Sequence, residues 1–464
     1  MLPLIIKNAD KLLHEQIYEF YKNAILNQSL KAGYKMPSHR KLAIDLSLSN
    51  NTIIKAYEQL TLEGYLKSEE RRGLFVCELE HIDIKRNKTS AVKFPAKSVL
   101  PKIDKIKFNL NGNVVDEKVF PLKEWRKMNQ LALDSLFFQY DFTSKHSSLK
   151  ENLVKYLFYS RGLLATKDRI VIGAGMNLLF SLLAIMLKNT HQNILFEEPG
   201  YTKARTIFKL HDYKIKSLPV NKNGVDITSL RKEKADLLYL TPSHQYPTGA
   251  VIPIANRLKI LKWASENNAY IIEDDFDCEF QHKLNLIPSL QGIDTLNAVI
   301  YLGSFSNAIM PSLRIAYMVL PKNFAVPLAA FDFLLNTVPF TSQQTLAYFM
   351  ERGYYEKHLR KMRKIYSEKY FITIQCIKNI FGNKISFNQN NAGLNILLKV
   401  QTQLTELQLI NKAKNKGVLV GPASLYYAEK PAAYALPGIL FEFSSLEIGK
   451  IPIVLDTLFK AWFV

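Results

Sequence analysis

The residues best suited to chemistry in this chain stand at the ends of short apolar runs. In order they are Gly173-Ala-Gly175-Met176-Asn177, Glu198-Pro-Gly-Tyr201, Thr241-Pro-Ser-His244-Gln245-Tyr-Pro-Thr-Gly, Glu273-Asp274-Asp275-Phe276 and Ser304-Phe-Ser306-Asn307, followed by Arg314. A glycine turn at a helix start, two serines and an arginine suit an anionic group, because free backbone N–H groups and a guanidinium both favour negative charge. Carboxylates and ring-bearing side chains complete a set of groups fit to hold a small polar ligand. Open α/β sheets bind ligands at such strand ends.

The elements that must position these groups follow from periodicity. Arg169–Ile172, Asn193–Phe196, Asp236–Leu240, Tyr270–Ile272, Ala298–Leu302 and Ile315–Leu320 read as continuous apolar strands. Helical stretches such as Ile254–Asn267 lie between several of them, which predicts a mostly parallel sheet covered on both faces. Ala392–Val400 and Gly438–Ser444 suggest a small α+β C-terminal lobe. The run Ile170–Leu187 could pass for a membrane span, but its glycines, Asn177 and Ser181 read better as strand, turn and buried helix.

A second polar set lies near the N-terminus. Leu13, Ile17, Phe20, Tyr21, Ala24 and Ile25 share one helical face within Lys11–Gln28. Ser38 can cap a short helix reaching about Leu46, and Ser49 can cap a third that carries Asn50, Asn51, Thr52 and Lys55 outward and Ile53, Ala56, Tyr57 and Leu60 inward. Strands Tyr65–Ser68 and Leu74–Val76 flank a tip with Arg71, Arg72 and Gly73. Three helices and a basic-tipped hairpin predict a winged helix-turn-helix.

The chain's 464 residues are enough for two or three domains. The expected division is a DNA-binding head over 1–76, a polar, basic linker over 77–107 and a larger α/β body over 108–464. Three scattered cysteines without a CxxC pair argue against a disulfide framework or a metal site and fit a reducing cytosol. No signal peptide is evident, so a soluble cytoplasmic protein is expected. The net charge of +20 permits nucleic-acid binding without establishing it, because residues 1–75 hold only eleven Lys/Arg against eight Asp/Glu.

Met36-Pro-Ser-His-Arg-Lys-Leu-Ala, Asn51-Thr-Ile-Ile-Lys-Ala-Tyr-Glu-Gln-Leu and Glu63-Gly-Tyr-Leu resemble the GntR family of bacterial regulators. The resemblance implies a double-stranded DNA operator as partner. Ser38, Arg40, Ser49, Asn50, Asn51, Thr52 and Lys55 would face DNA, with Arg72 and Gly73 placing the wing on the minor groove. The family often has arginine where Asn50 stands, so base preference should differ.

The later landmarks resemble fold-type-I aminotransferases and, behind the GntR-like head, the MocR/GabR subfamily of regulators. This resemblance implies pyridoxal 5′-phosphate (PLP) as ligand. Gly175, Met176, Asn177, Ser304, Ser306 and Arg314 would bind its phosphate, Asp274 its pyridinium nitrogen, and Tyr201 and Gln245 would line the ring. The lysine that would form a Schiff base is replaced by Asn307, and the phenol that would bond the ring oxygen by Phe276. The arginine clamping a substrate carboxylate aligns with Leu425, and a glycine expected before Ser147 is Lys145 or His146. PLP binding, if retained, is therefore non-covalent, no residue is expected to be catalytic, and a homodimer sensing a phosphate- or carboxylate-bearing effector is expected. A lysine-less PLP enzyme using His244 or His146, or a body that only dimerises, remain the alternatives.

Overall fold

The structure, a computed structural model, describes residues 3, 11–79, 106–112, 115–135, 148–282, 288–324, 326, 328–335, 337–389, 392–428 and 436–464. Most of the expected linker, together with Lys145, His146 and Ser147, lies outside the described residues. The chain forms two compact units, Met1–Leu100 and Pro101–Val464.

In the first unit, α1 (Leu13–Leu26), α2 (His39–Leu46) and α3 (Asn50–Leu62) precede a hairpin of β1 (Leu66–Glu69) and β2 (Gly73–Val76). The two serines cap as expected: Ser38 Oγ accepts the Lys41 N–H at 3.3 Å and Ser49 Oγ that of Thr52 at 3.2 Å. Each such cap is worth about 1 kcal/mol. Ile17, Tyr21, Ala24 and Ile25 of α1 pack on Ile53, Ala56, Tyr57 and Leu60 of α3 in one core. β1 lies one residue later than expected and β2 begins one residue earlier, with Leu66 opposite Val76 and Glu69 opposite Gly73.

The second unit opens with β3 (Phe108–Leu110). Its main sheet contains β4 (Ile170–Gly173), β5 (Asn193–Glu198), β6 (Lys214–Asn221), β7 (Gly224–Val225), β8 (Leu237–Leu240), β9 (Tyr270–Asp275), β10 (Val299–Ser304) and β11 (Ala316–Val319). The strand order is β4-β11-β10-β9-β8-β5-β6-β7. β5, β6, β8, β9 and β10 run parallel, whereas β11 is antiparallel to both neighbours. β4, β8, β10 and β11 are buried along their whole length, which is why they read as unbroken apolar runs. β6 alternates exposed and half-buried residues and was not expected from the sequence.

The helix Met176–Leu187 follows β4 and packs into the core against β5, β8 and β10 side chains, so the membrane-like run is core. No described helix is long and apolar enough to cross a membrane. The C-terminal lobe adds β12 (Ile385–Ser386), β13 (Asn395–Val400), β14 (Val418–Pro422) and β15 (Gly438–Glu442), in the order β12-β13-β15-β14-β3.

Candidate functional site

Alternation along β9 sorts its acids onto two faces. Asp275 Oδ2 pairs with Arg161 Nη2 at 2.6 Å, both side chains 1% exposed, and accepts the Tyr301 hydroxyl at 2.8 Å. Glu273 accepts the backbone N–H groups of Leu290 and Gln291 at 2.6 and 2.9 Å. These two acids are internally satisfied. Asp274 is not: one oxygen accepts the Tyr239 hydroxyl at 2.5 Å, while Oδ1 is buried without a partner. Burial pushes its carboxyl up to about 7, partly opposed by the Tyr239 bond. An unpaired buried carboxylate is costly, so Oδ1 calls for an N–H donor or a cation.

Gly175 has φ +89° and opens the helix Met176–Leu187; a Cβ there would stand 2.1 Å from Arg314 Nη2. Only glycine lets the guanidinium lie against this turn. Arg314 itself is exposed, holds φ +53°, and pairs with no carboxylate among the described residues. Ser304 Oγ lies 3.0 Å from Ser306 Oγ and accepts the Ser306 N–H at 3.1 Å. The Ala174 N–H is taken by Thr337 Oγ1 at 3.1 Å and that of Gly175 by the Gly173 carbonyl at 2.7 Å. The helix start therefore offers the amides of Met176 and Asn177, a narrower set than the expected Gly175, Met176 and Asn177. Tyr201 stands between the two halves of the site: burial and then the Asp274 charge push its phenol up, and Arg314 pulls it down.

The residues at which losses are expected from the sequence lie at the opposite end. Asn307, 6% exposed, donates from Nδ2 to the Phe276 carbonyl at 3.2 Å. The Phe276 ring meets Tyr246 edge-on at 5.4 Å and lies 6.0 Å from His244. His244 Nδ1 bonds Asp277 Oδ2 at 2.8 Å, and its Nε2 is buried without a partner. Gln245 is engaged by its surroundings: Nε2 donates to the Pro199 and Tyr246 carbonyls, both at 2.8 Å, and Oε1 accepts from Thr248. It braces its own loop.

Leu425 does not face this pocket either. It is 62% exposed, and its carbonyl accepts the Thr202 hydroxyl. A small cavity beside Asn307 and Phe276 is lined instead by Val115, Asp277, Leu394, Asn395, Glu442 and Ser444. Sequence reasoning missed Asn395, Glu442 and Ser444. The signal was present: in Ile439-Leu-Phe-Glu-Phe-Ser, Ile439, Phe441 and Phe443 enter the lobe's core, so Glu442 and Ser444 must face the other way. Tyr239 was also missed, a single hydroxyl inside the otherwise apolar β8.

In the first unit, Arg40, Asn50, Asn51, Lys55, Arg72 and Gly73 are exposed. Thr52 is half-buried, its hydroxyl 2.7 Å from that of Ser49. Ser38 and Ser49 thus serve their helices as caps. At the hairpin tip, Glu69 pairs with Arg72 at 2.7 Å and with Lys67 at 3.2 Å, and the Arg72 guanidinium stacks 5.5 Å above the Phe75 ring.

A helix-turn-helix with a wing, in one chain with a sheet whose strand ends gather Asp274, the Gly175 turn and Arg314, defines a regulator built on an aminotransferase-type body. Residues 13–76 match the model of bacterial regulatory proteins of the gntR family, and residues 103–432 that of aminotransferase class I and II. The chain is 36% identical to "Uncharacterized HTH-type transcriptional regulator YdeL" of Bacillus subtilis (strain 168), over 92% of this chain and 93% of the relative. It is 29% identical to "Probable rhizopine catabolism regulatory protein MocR" of Rhizobium meliloti, over 92% of this chain and 89% of the relative. The fold matches a Pyrococcus horikoshii kynurenine aminotransferase structure with a TM-score of 0.68 at 21% identity, over 77% of this chain and 91% of that one. The chain belongs to the MocR/GabR subfamily of GntR-type transcription regulators, and it is a DNA-binding regulator with an aminotransferase-like domain.

Proposed function

We propose that the chain acts as a cytoplasmic homodimer in which a head over 1–76 binds operator DNA, a linker spans 77–107, and a body over 108–464 senses a PLP-type ligand without turning it over. One observation carries the reading. Asn307 is an amide that can neither capture an aldehyde nor move a proton, while Asp274, two residues before Asn307's partner Phe276, still presents an unpartnered buried oxygen. Binding groups are kept where the covalent and proton-transfer group is gone.

The residues present fit PLP held without a covalent bond. Asp274 Oδ1 would accept the ring N–H, while Ser304, Ser306, Arg314 and the Met176 and Asn177 amides would hold the phosphate. When bound, PLP supplies an electron-withdrawing ring for an attached amine. Phe276 and Asn307 offer that chemistry no hydroxyl and no base. In the head, α3 would enter the major groove with Asn50 and Asn51, Arg40 and Lys55 would meet phosphate or base edges, and Arg72-Gly73 would reach the minor groove.

The protein as purified, reduced with borohydride, should show no added phosphopyridoxyl mass, while calorimetry detects pyridoxamine 5′-phosphate binding. A covalent adduct at any residue overturns the reading. Sequence-preferring DNA binding at moderate salt is expected as well, and its absence would remove the regulator's mechanism. If no PLP-type compound or amino acid binds, the body is a dimerisation scaffold.

A second reading rests on His244, whose Nε2 is free in a buried site while Asp277 holds Nδ1. Such a pair is fit to accept a proton. Transamination or dehydration with added PLP, lost in His244→Phe, would favour an enzyme.

A further inference from the structure

The small cavity beside Asn307 carries a charge pattern that the PLP reading leaves unused. Antiparallel pairing sets Asn395 of β13 directly opposite Glu442 of β15, so their side chains leave the sheet together. Both line the cavity, with exposures of 8% and 7%. Asn395 Oδ1 is buried and has no partner. Glu442 forms no ion pair among the described residues, and burial pushes its carboxyl up to about 7 despite a bond from the Gly112 N–H. Asp277 adds a second carboxyl, already engaged by His244.

Lys369 Nζ reaches the far side of Ser444, bonding its carbonyl at 2.6 Å, but pairs with Asp116 at 2.7 Å. Among the described residues no lysine or arginine lines the cavity, so no full positive charge there favours a carboxylate. Its free room suits little more than one water-sized group. Two convergent acceptors, one an acid, in a space of that size match a primary ammonium, which is compact and carries three donors.

We propose that this cavity seats a primary ammonium between Glu442 and Asn395, so that the effector is a PLP-linked amine with a second amino group, of the diamine or aminoalkyl class, and not an α-amino acid. The inference rests on the reading above, in which the cofactor ring lies on Asp274.

Reduced phosphopyridoxyl adducts of diamines with three to five carbons, of the ω-amino acids of equal length and of the corresponding alkylamines supply the probe. Calorimetry on the full-length protein should rank the diamine adduct first at one length at least, by roughly tenfold over its carboxylate counterpart, as expected for a charge-assisted bond. Glu442→Gln should narrow that gap. Equal affinities, or tighter carboxylate adducts at every length, overturn the proposal while the PLP reading stands, provided pyridoxamine 5′-phosphate itself binds. If pyridoxamine 5′-phosphate and all adducts fail to bind, both fall. The wild-type ranking decides even if the variant does not fold.

Discussion

The two ends of the proposed site differ. Around Asp274 and Gly175 stand the groups proposed to hold a ring nitrogen and a phosphate, among them a glycine turn that lies against a guanidinium. Around Asn307 and Phe276 stand an amide and a bare ring, where the resemblance would place a nucleophile and a phenol. Binding tolerates this division because hydrogen bonds and charge at the phosphate contribute independently of what happens at the aldehyde. Catalysis does not, since it needs a base at the reacting carbon.

Four measurements would sharpen or break this contrast. The largest change is expected from Asn307→Lys, which should convert a colourless protein into one that takes up PLP stoichiometrically, read by visible absorption and by mass after reduction. Failure to attach would mean that the two ends do not form one cofactor site. Arg314→Ala should weaken pyridoxamine 5′-phosphate binding about 100-fold by calorimetry, the scale of losing a charge-assisted contact of ~2–3 kcal/mol. An unchanged affinity would relocate the phosphate.

Asp274→Asn tests the other retained group through pH. The Asp274 carboxyl is raised from 3.8 to about 7 in the folded state. Its contribution to stability is therefore full below pH 3.8 and lost as pH rises through about 7. The variant lacks this loss, so its stability relative to wild type should grow from pH 4 to pH 8, on the order of 2–4 kcal/mol. Denaturation at several pH values measures it, and saturating pyridoxamine 5′-phosphate should close most of the gap at high pH. A pH-independent difference would show that Asp274 is already paired. The smallest effect belongs to Phe276→Tyr, which returns one hydroxyl to the depleted end and should tighten binding roughly threefold.

Much of this was legible in the sequence where local rules act alone. Ser38 and Ser49 cap because a hydroxyl ahead of an apolar helical face has few other uses, and the buried strands read as apolar runs because both faces are covered. β6 escaped notice because its Lys-Ile-Lys-Ser alternation marks a strand only half covered. The pocket's far wall escaped because it is assembled from β13 and β15 of the small lobe, more than eighty residues from Asn307 in sequence. Gln245 and Leu425 were placed by their neighbours in the chain, but their side-chain partners are settled by folding: one amide turned inward to hold its loop, one leucine turned to solvent.

The wing bears on how DNA is approached. Glu69 already holds both Lys67 and Arg72, so either cation reaches a phosphate only by exchanging one anion for another. Counting basic residues overstates the counterions this head can release, and its affinity should fall less steeply with salt than its sequence suggests. Weak adhesion to arbitrary DNA would follow, leaving the base edges read by α3 to decide where the protein rests.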